Sequence, residues 1–152
     1  MLTKIPNGLP EIIDTFGHPD APDFEAENIV TLQLPYPLRY AGQLVYHARC
    51  HKLAEDNFFH ALSAISSLGT VDRFFPDYGG IYAVRDKRGM QGHPSTHSWG
   101  IAIDLEPDLY PLGSTKRFPD WVVEAFAKCG FVYGGDFAHR PDPMHFQLAA
   151  GY

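Results

Sequence analysis

Proline placement limits this chain more than any other feature of it. Pro6, Pro10, Pro19, Pro22, Pro35 and Pro37 break up residues 1 to 40 and rule out a long helix there, because each removes a backbone donor and fixes φ. The segment reads as an irregular N-terminal wrap with a short strand near residues 29–34, packed onto the rest by its apolar content. From Gly42 to Ser67 the texture changes. Leu44, Ala48, His51, Phe58, Leu62 and Ile65 recur at spacings that predict one long helix, broken near Asp56-Asn57 and stopped by Gly69.

Beyond Gly79-Gly80, Ile81-Tyr82-Ala83-Val84 reads as a strand, and residues 86–96 as a loop. Ile101–Leu105 is a strand by alternation. Pro119 suits the first turn of a helix running to Lys128 and closed by Gly130, with Val122, Phe126 and Cys129 on its apolar face. Short strands follow around residues 131–133 and 145–148. Without a regular βαβ rhythm, this order predicts an α+β fold with a mainly antiparallel sheet flanked by helices, in a single domain spanning 1–152.

Composition narrows the function classes. The formal net charge is -6, with the acids scattered, which argues against a nucleic-acid partner. No apolar run approaches the roughly 20 residues of a membrane span, so no membrane insertion is expected. The first residues lack the apolar core of a secretory signal, so synthesis in the cytoplasm is the expectation. Cys50 and Cys129, both in segments that read as helical, are expected as buried thiols.

The densest chemistry lies in Ser95-Thr96-His97-Ser98-Trp99-Gly100-Ile101-Ala102-Ile103-Asp104. Strand alternation sends Ile101, Ile103 and Leu105 into a core and leaves Asp104 rising from a floor of Gly100 and Ala102. His97 could curl over the same face. In Asp142-Pro143-Met144-His145-Phe146-Gln147, alternation puts His145 and Gln147 together and Phe146 in the core. Two imidazoles and a carboxylate suit a three-ligand metal site open to water, and Asp142 could take the proton of that water. On residues alone, a structural histidine competes evenly with this reading.

The pattern S-x-H-x-x-G-x-A-x-D, met as Ser95, His97, Gly100, Ala102 and Asp104, resembles the signature of the zinc D-alanyl-D-alanine carboxypeptidase family. Its second motif is met as Asp142, His145, Phe146 and Gln147. Gly130-Phe131-Val132-Tyr133-Gly134-Gly135-Asp136-Phe137 resembles a stretch of the L-alanyl-D-glutamate endopeptidase branch found in phage endolysins, with Tyr133 and Phe137 where that branch has Trp. The resemblance covers about residues 79–148. It implies a fold like that of hedgehog domains and D,D-peptidases, and zinc on His97, Asp104 and His145. It also implies Asp142 as general base and then acid, and an upstream arginine on the substrate carbonyl.

Arg85 is the candidate for that arginine, with Arg88 as runner-up. Ser95, Trp99 and Asp136 are the residues expected to touch substrate. The implied activity is hydrolysis of peptidoglycan stem peptides at the L-Ala–D-Glu bond by a monomer that acts on the bacterial cell wall. A D-Ala-D-Ala carboxypeptidase or dipeptidase and a non-catalytic zinc-containing wall-binding protein are the alternatives. His47, Cys50, His51 and Glu55 form a second polar cluster, but Ala48 stands where the zincin helix needs Glu, so it reads as a polar face rather than a second metal site.

Overall fold

The computed structural model describes residues 1–68 and 77–152. Its first 40 residues are more ordered than an irregular wrap. A helix α1 (Leu9–Phe16) starts with Pro10 in its first turn, where the missing N–H is no loss, and buries Ile12 and Phe16 four residues apart. A short helix α2 (Phe24–Asn28) leads directly into strand β1 (Ile29–Tyr40). The strand thus begins where the sequence places it but runs well past residue 34. Pro35 and Pro37 are tolerated because the register with the next strand jumps between Gln33 and Leu38, and both prolines fall in that irregular stretch.

The long helix predicted from Gly42 is two elements. Strand β2 (Gln43–His51) pairs antiparallel with β1, and the helix α3 begins only at Glu55 and runs to Leu68. Leu44, Ala48 and His51 fit helical spacing by coincidence. What decides the matter is the two-residue turn Ala41-Gly42, whose φ values of 47° and 78° close a tight hairpin. Cys50 accordingly sits on a strand, and Cys129 caps a helix; both are free and buried, as expected. The stop expected at Gly69 lies outside the described residues.

Strand β3 (Tyr78–Gly80) lies one step earlier than expected, on the glycines themselves, while residues 81–84 are not in a strand and begin with a bend at Ile81. The segment read as a loop holds a small hairpin of β4 (Asp86–Lys87) and β5 (Met90–Pro94), turned at Gly89 with φ 74°. Strand β6 (Ala102–Leu105) and helix α4 (Asp120–Lys128) fall where the sequence puts them. Strands β7 (Val132–Tyr133) and β8 (His145–Gln147) do likewise. These elements bear out an α+β fold with antiparallel sheets. The principal sheet has the order β3-β6-β8-β7, with every pairing antiparallel.

One face of this sheet is covered by aromatic side chains. Phe146 of β8 stacks on Phe126 of α4 at 4.2 Å and on Tyr133 of β7 at 4.8 Å between ring centroids. Phe118, Phe131 and Phe58 of α3 extend the cluster. Helix α3 contributes Phe58, Ala61, Leu62 and Ile65, an i, i+3, i+4, i+7 stripe that is buried throughout. With Phe146 committed to this core, the pleat of β8 sends His145 and Gln147 to the opposite face. The functional face is therefore set by the packing of its reverse side. No helix among the described residues is long and apolar enough to cross a membrane.

Candidate metal centre and catalytic cleft

Two central strands place the first two groups. Asp104 of β6 and His145 of β8 are direct cross-strand partners, and Asp104 Oδ1 lies 2.9 Å from His145 Nδ1. The third group comes from a single 3-10 turn, Thr96–Trp99, capped by Ser95, whose hydroxyl accepts from the His97 amide. Gly100 ends that turn in the left-handed region at φ 69°, and any Cβ there would stand 2.8 Å from the His51 backbone nitrogen. The turn thereby swings His97 over β6, with Nε2 3.2 Å from Asp104 Oδ1. All three side chains are buried, and their ligand atoms lie within 4.8 Å of one another.

The hydrogen bonds behind these side chains fix where the protons sit. His97 Nδ1 lies 2.8 Å from the carbonyl oxygen of Ile81. A carbonyl only accepts, so Nδ1 carries the proton and Nε2 presents a lone pair. Gln147 Nε2 donates to the carbonyl of Ala149 at 2.9 Å, which turns its amide oxygen toward His145 Nε2, also at 2.9 Å. By the same logic His145 Nε2 carries the proton and Nδ1 faces Asp104 bare. Thr96 Oγ1 completes the set, donating to Gln147 Oε1 at 3.0 Å and lying 3.2 Å from His145 Nε2.

Two imidazole lone pairs and a carboxylate oxygen therefore converge on one point, an arrangement that repels itself unless a cation sits among them. His97 Nε2 has no hydrogen-bond partner despite complete burial, because its approach to Asp104 is close without being aligned as a hydrogen bond. The residues fit a divalent metal on this ground, with outer partners on both histidines of the kind that metal sites use. Without a metal, a proton does part of the same work. Burial opposes an imidazolium at His145, but the hydrogen bond and charge of Asp104 outweigh it and raise its pKa. Burial likewise works against the Asp104 carboxylate, yet His145 and His97 hold its pKa well below the usual range.

Asp142 is brought to the site by a tight turn. Its carbonyl accepts from the His145 amide at 3.0 Å, and Pro143 occupies the second turn position, where its fixed φ is favourable. The Asp142 amide donates to Gly134 at 2.8 Å, and a Cβ on Gly134 would collide with the Asp142 carbonyl. Asp142 Oδ1 is buried with no partner. Burial raises the pKa of this carboxyl, against the charge of His145. An ionisable group with an unused oxygen and a pKa drawn upward is suited to take up and release a proton.

Asp104, Asp142 and His145 line a cleft of about 540 Å³, whose walls include Arg85, Lys87, Arg88, Arg140, Phe137 and Tyr152. Arg85 lies in this wall, directly before β4 rather than at the end of the strand expected over residues 81–84. Its amide donates to Ser98 Oγ at 3.1 Å and its carbonyl accepts from the same hydroxyl at 2.8 Å. Ser98 therefore ties the arginine segment to the turn that carries His97. Arg88 lines the cleft as well.

The residues expected to touch substrate are placed differently. Ser95 lines the cleft but is spent on capping the 3-10 turn. Trp99 is 0% exposed, outside the cleft, with its indole N–H donating to the Gly17 carbonyl at 2.8 Å. It anchors the N-terminal segment. Asp136 is exposed and paired with Arg117 at 2.6 Å. Gly135 before it lies so close to the Tyr133 ring that a Cβ would clash, so this glycine-rich stretch is architectural. The second polar cluster disperses too, because His51 is buried against the Phe16 carbonyl at 3.0 Å while His47 is exposed. Sequence reading missed Thr96 and Arg140. A threonine and a lone loop arginine carry no signal until the fold brings them to the cleft.

Comparison with curated proteins returned no match. A family model does match, over residues 88–148, the segment that supplies His97, Asp104, Asp142 and His145. Its description names a peptidase, and the buried histidine–aspartate–histidine group behind the cleft is in keeping with a metal-dependent one. Over that segment the chain carries the pattern of the D-alanyl-D-alanine carboxypeptidase family.

Proposed function

We propose that this protein is a zinc-dependent peptidase that hydrolyses peptidoglycan stem peptides at the L-alanyl-D-glutamate bond. The observation that carries the reading is the convergence of His97 Nε2, Asp104 Oδ1 and His145 Nδ1 beside the unpartnered carboxylate oxygen of Asp142. Zinc held by those three groups would supply a Lewis acid, lowering the pKa of water toward about 7 and polarising a carbonyl. The chain's own residues do the rest. Asp142 accepts the proton of the attacking water and returns it to the departing amine. Arg85, held in place by Ser98, offers a guanidinium to the carbonyl oxygen as charge develops on it.

The family match also favours a second reading, cleavage of D-alanyl-D-alanine, since that is what its description names. A non-catalytic wall-binding protein has less support, because it would need no proton acceptor and Asp142 provides one. Purified peptidoglycan digested with and without chelator, its new termini read by mass spectrometry, separates the readings. New D-Glu amino termini, abolished by chelator and by Asp142→Ala, are expected. Free D-Ala would move the bond to the carboxypeptidase class. No cleavage by folded, zinc-loaded protein would overturn the enzyme reading.

A further inference from the structure

We propose that Arg88 and Arg140 form a subsite for a free carboxylate of the substrate, in the cleft wall beside the reaction centre; this rests on the peptidase reading of the cleft. The protein as a whole is acidic, at -6. Its cleft is the reverse. The acids that line it, Asp104 and Asp142, belong to the reaction centre, whereas the walls bring Arg85, Lys87, Arg88 and Arg140 together.

These cations are not equally free. Lys87 Nζ stands 3.4 Å from the centroid of the Tyr152 ring, and Arg85, tied to Ser98, is already given to the scissile carbonyl in the proposed mechanism. Arg88 and Arg140 are exposed, and no carboxylate among the described residues pairs with either. The contrast with the outer surface is informative. There Arg49 holds Glu25 at 2.6 Å and Arg117 holds Asp136 at 2.6 Å. The arginines of the cleft lack the acid partner that those two have.

The segments that carry Arg88 and Arg140 are also joined. Arg140 Nη1 donates to the Arg88 carbonyl, so the β4–β5 turn and the loop before Asp142 are tied together. Gly89, next to Arg88, takes the left-handed φ of 74° that turns the hairpin at this contact. Two planar guanidinium groups from separate segments of one wall match the two oxygens of a carboxylate in a way a single lysine cannot. Their place is beside the chemistry, with Arg140 two residues before Asp142. A peptide with a free carboxyl group is thus the ligand class this wall selects, over the same peptide amidated at that group.

The test uses synthetic stem tetrapeptides in which each free carboxyl group is amidated in turn. Binding is read by calorimetry on zinc-loaded Asp142→Asn protein, and hydrolysis on the unmodified protein. One amidation should weaken binding about tenfold or more, the scale of hydrogen bonds to a charged group. Arg88→Gln and Arg140→Gln should bind the free acid as weakly as the amide, and so lose the discrimination. Equal binding of every peptide, equal losses on acid and amide in the arginine variants, or no binding at all would overturn the subsite. Discrimination in binding without hydrolysis of any peptide would keep the subsite and refute cleavage at the L-alanyl-D-glutamate bond.

Discussion

At the scale of single residues, hydrogen bonds behind the candidate ligands fix which ring nitrogen each histidine presents. In the proposed mechanism Asp142 removes the proton, so Asp142→Asn should lower kcat by about 10²–10⁴-fold while zinc binding, followed by competition with a colorimetric chelator, stays near that of the parent. The same substitution carries a stability signature. Burial raises the Asp142 pKa in the folded chain, so the folded state keeps its proton to higher pH than the unfolded state does. Stability from this group is then present in acid and lost as pH rises through the raised value. In metal-free protein, Asp142→Asn should melt higher than the parent at neutral pH, and the two should converge below about pH 4, the ordinary carboxylate range. A Tm difference independent of pH would contradict this. Gln147 acts one step back. Its amide oxygen puts the His145 proton on Nε2 and leaves Nδ1 free to bind metal. Gln147→Leu should cost about 10–100-fold in zinc affinity, with secondary structure by circular dichroism unchanged.

At the scale of elements, close backbone approach decides what can be changed. Gly134 lies against the Asp142 carbonyl and 3.0 Å from His145 Cβ by way of an added Cβ. Gly134→Ala should therefore push the Asp142–His145 turn away from the sheet, lowering both kcat and zinc affinity. Gly100→Ala meets a different obstacle, a positive φ as well as a 2.8 Å approach to the His51 nitrogen, and should destabilise the fold by more than about 1 kcal/mol. The same local geometry explains what was legible in the sequence. Strand β6, helix α4 and strands β7 and β8 carry clean alternation or a Pro start and Gly stop, and were readable. So was the gathering of His97, Asp104 and His145 on one side of the sheet. Strand β2 was not, because Leu44, Ala48 and His51 obey helical spacing as well. Its hairpin turn uses Ala41 where Asn or Gly would have announced it. Trp99 and Asp136 were misplaced for a related reason. Ser95, Thr96 and Phe137 nearby line the cleft, but a 3-10 turn rotates each successive side chain to a new direction, which spacing alone does not reveal.

At the scale of the whole molecule, the candidate centre joins the short His97–Asp104 segment to His145, 41 residues beyond Asp104. His97 comes from the turn between the β4–β5 hairpin and β6, Asp104 from the middle of the sheet, and His145 from the strand packed on the aromatic core. A metal bound there binds only the folded chain, so it must raise stability by mass action, by about 2.7 kcal/mol at a hundredfold excess over Kd. For a chain of this size that corresponds to a rise in Tm of about 5–11 °C. A buried hydrogen-bonded network with no metal role would behave otherwise. Its charges would already be balanced by the proton on His145, and zinc would bring no rise. Calorimetry of chelator-treated protein, before and after adding back zinc, distinguishes the two. The rise should vanish in Asp104→Ala and His97→Ala, and survive in Asp142→Asn, which removes the proton acceptor but leaves all three ligands. A rise that persists without Asp104 would place the zinc elsewhere on the molecule, and with it the chemistry assigned to this cleft.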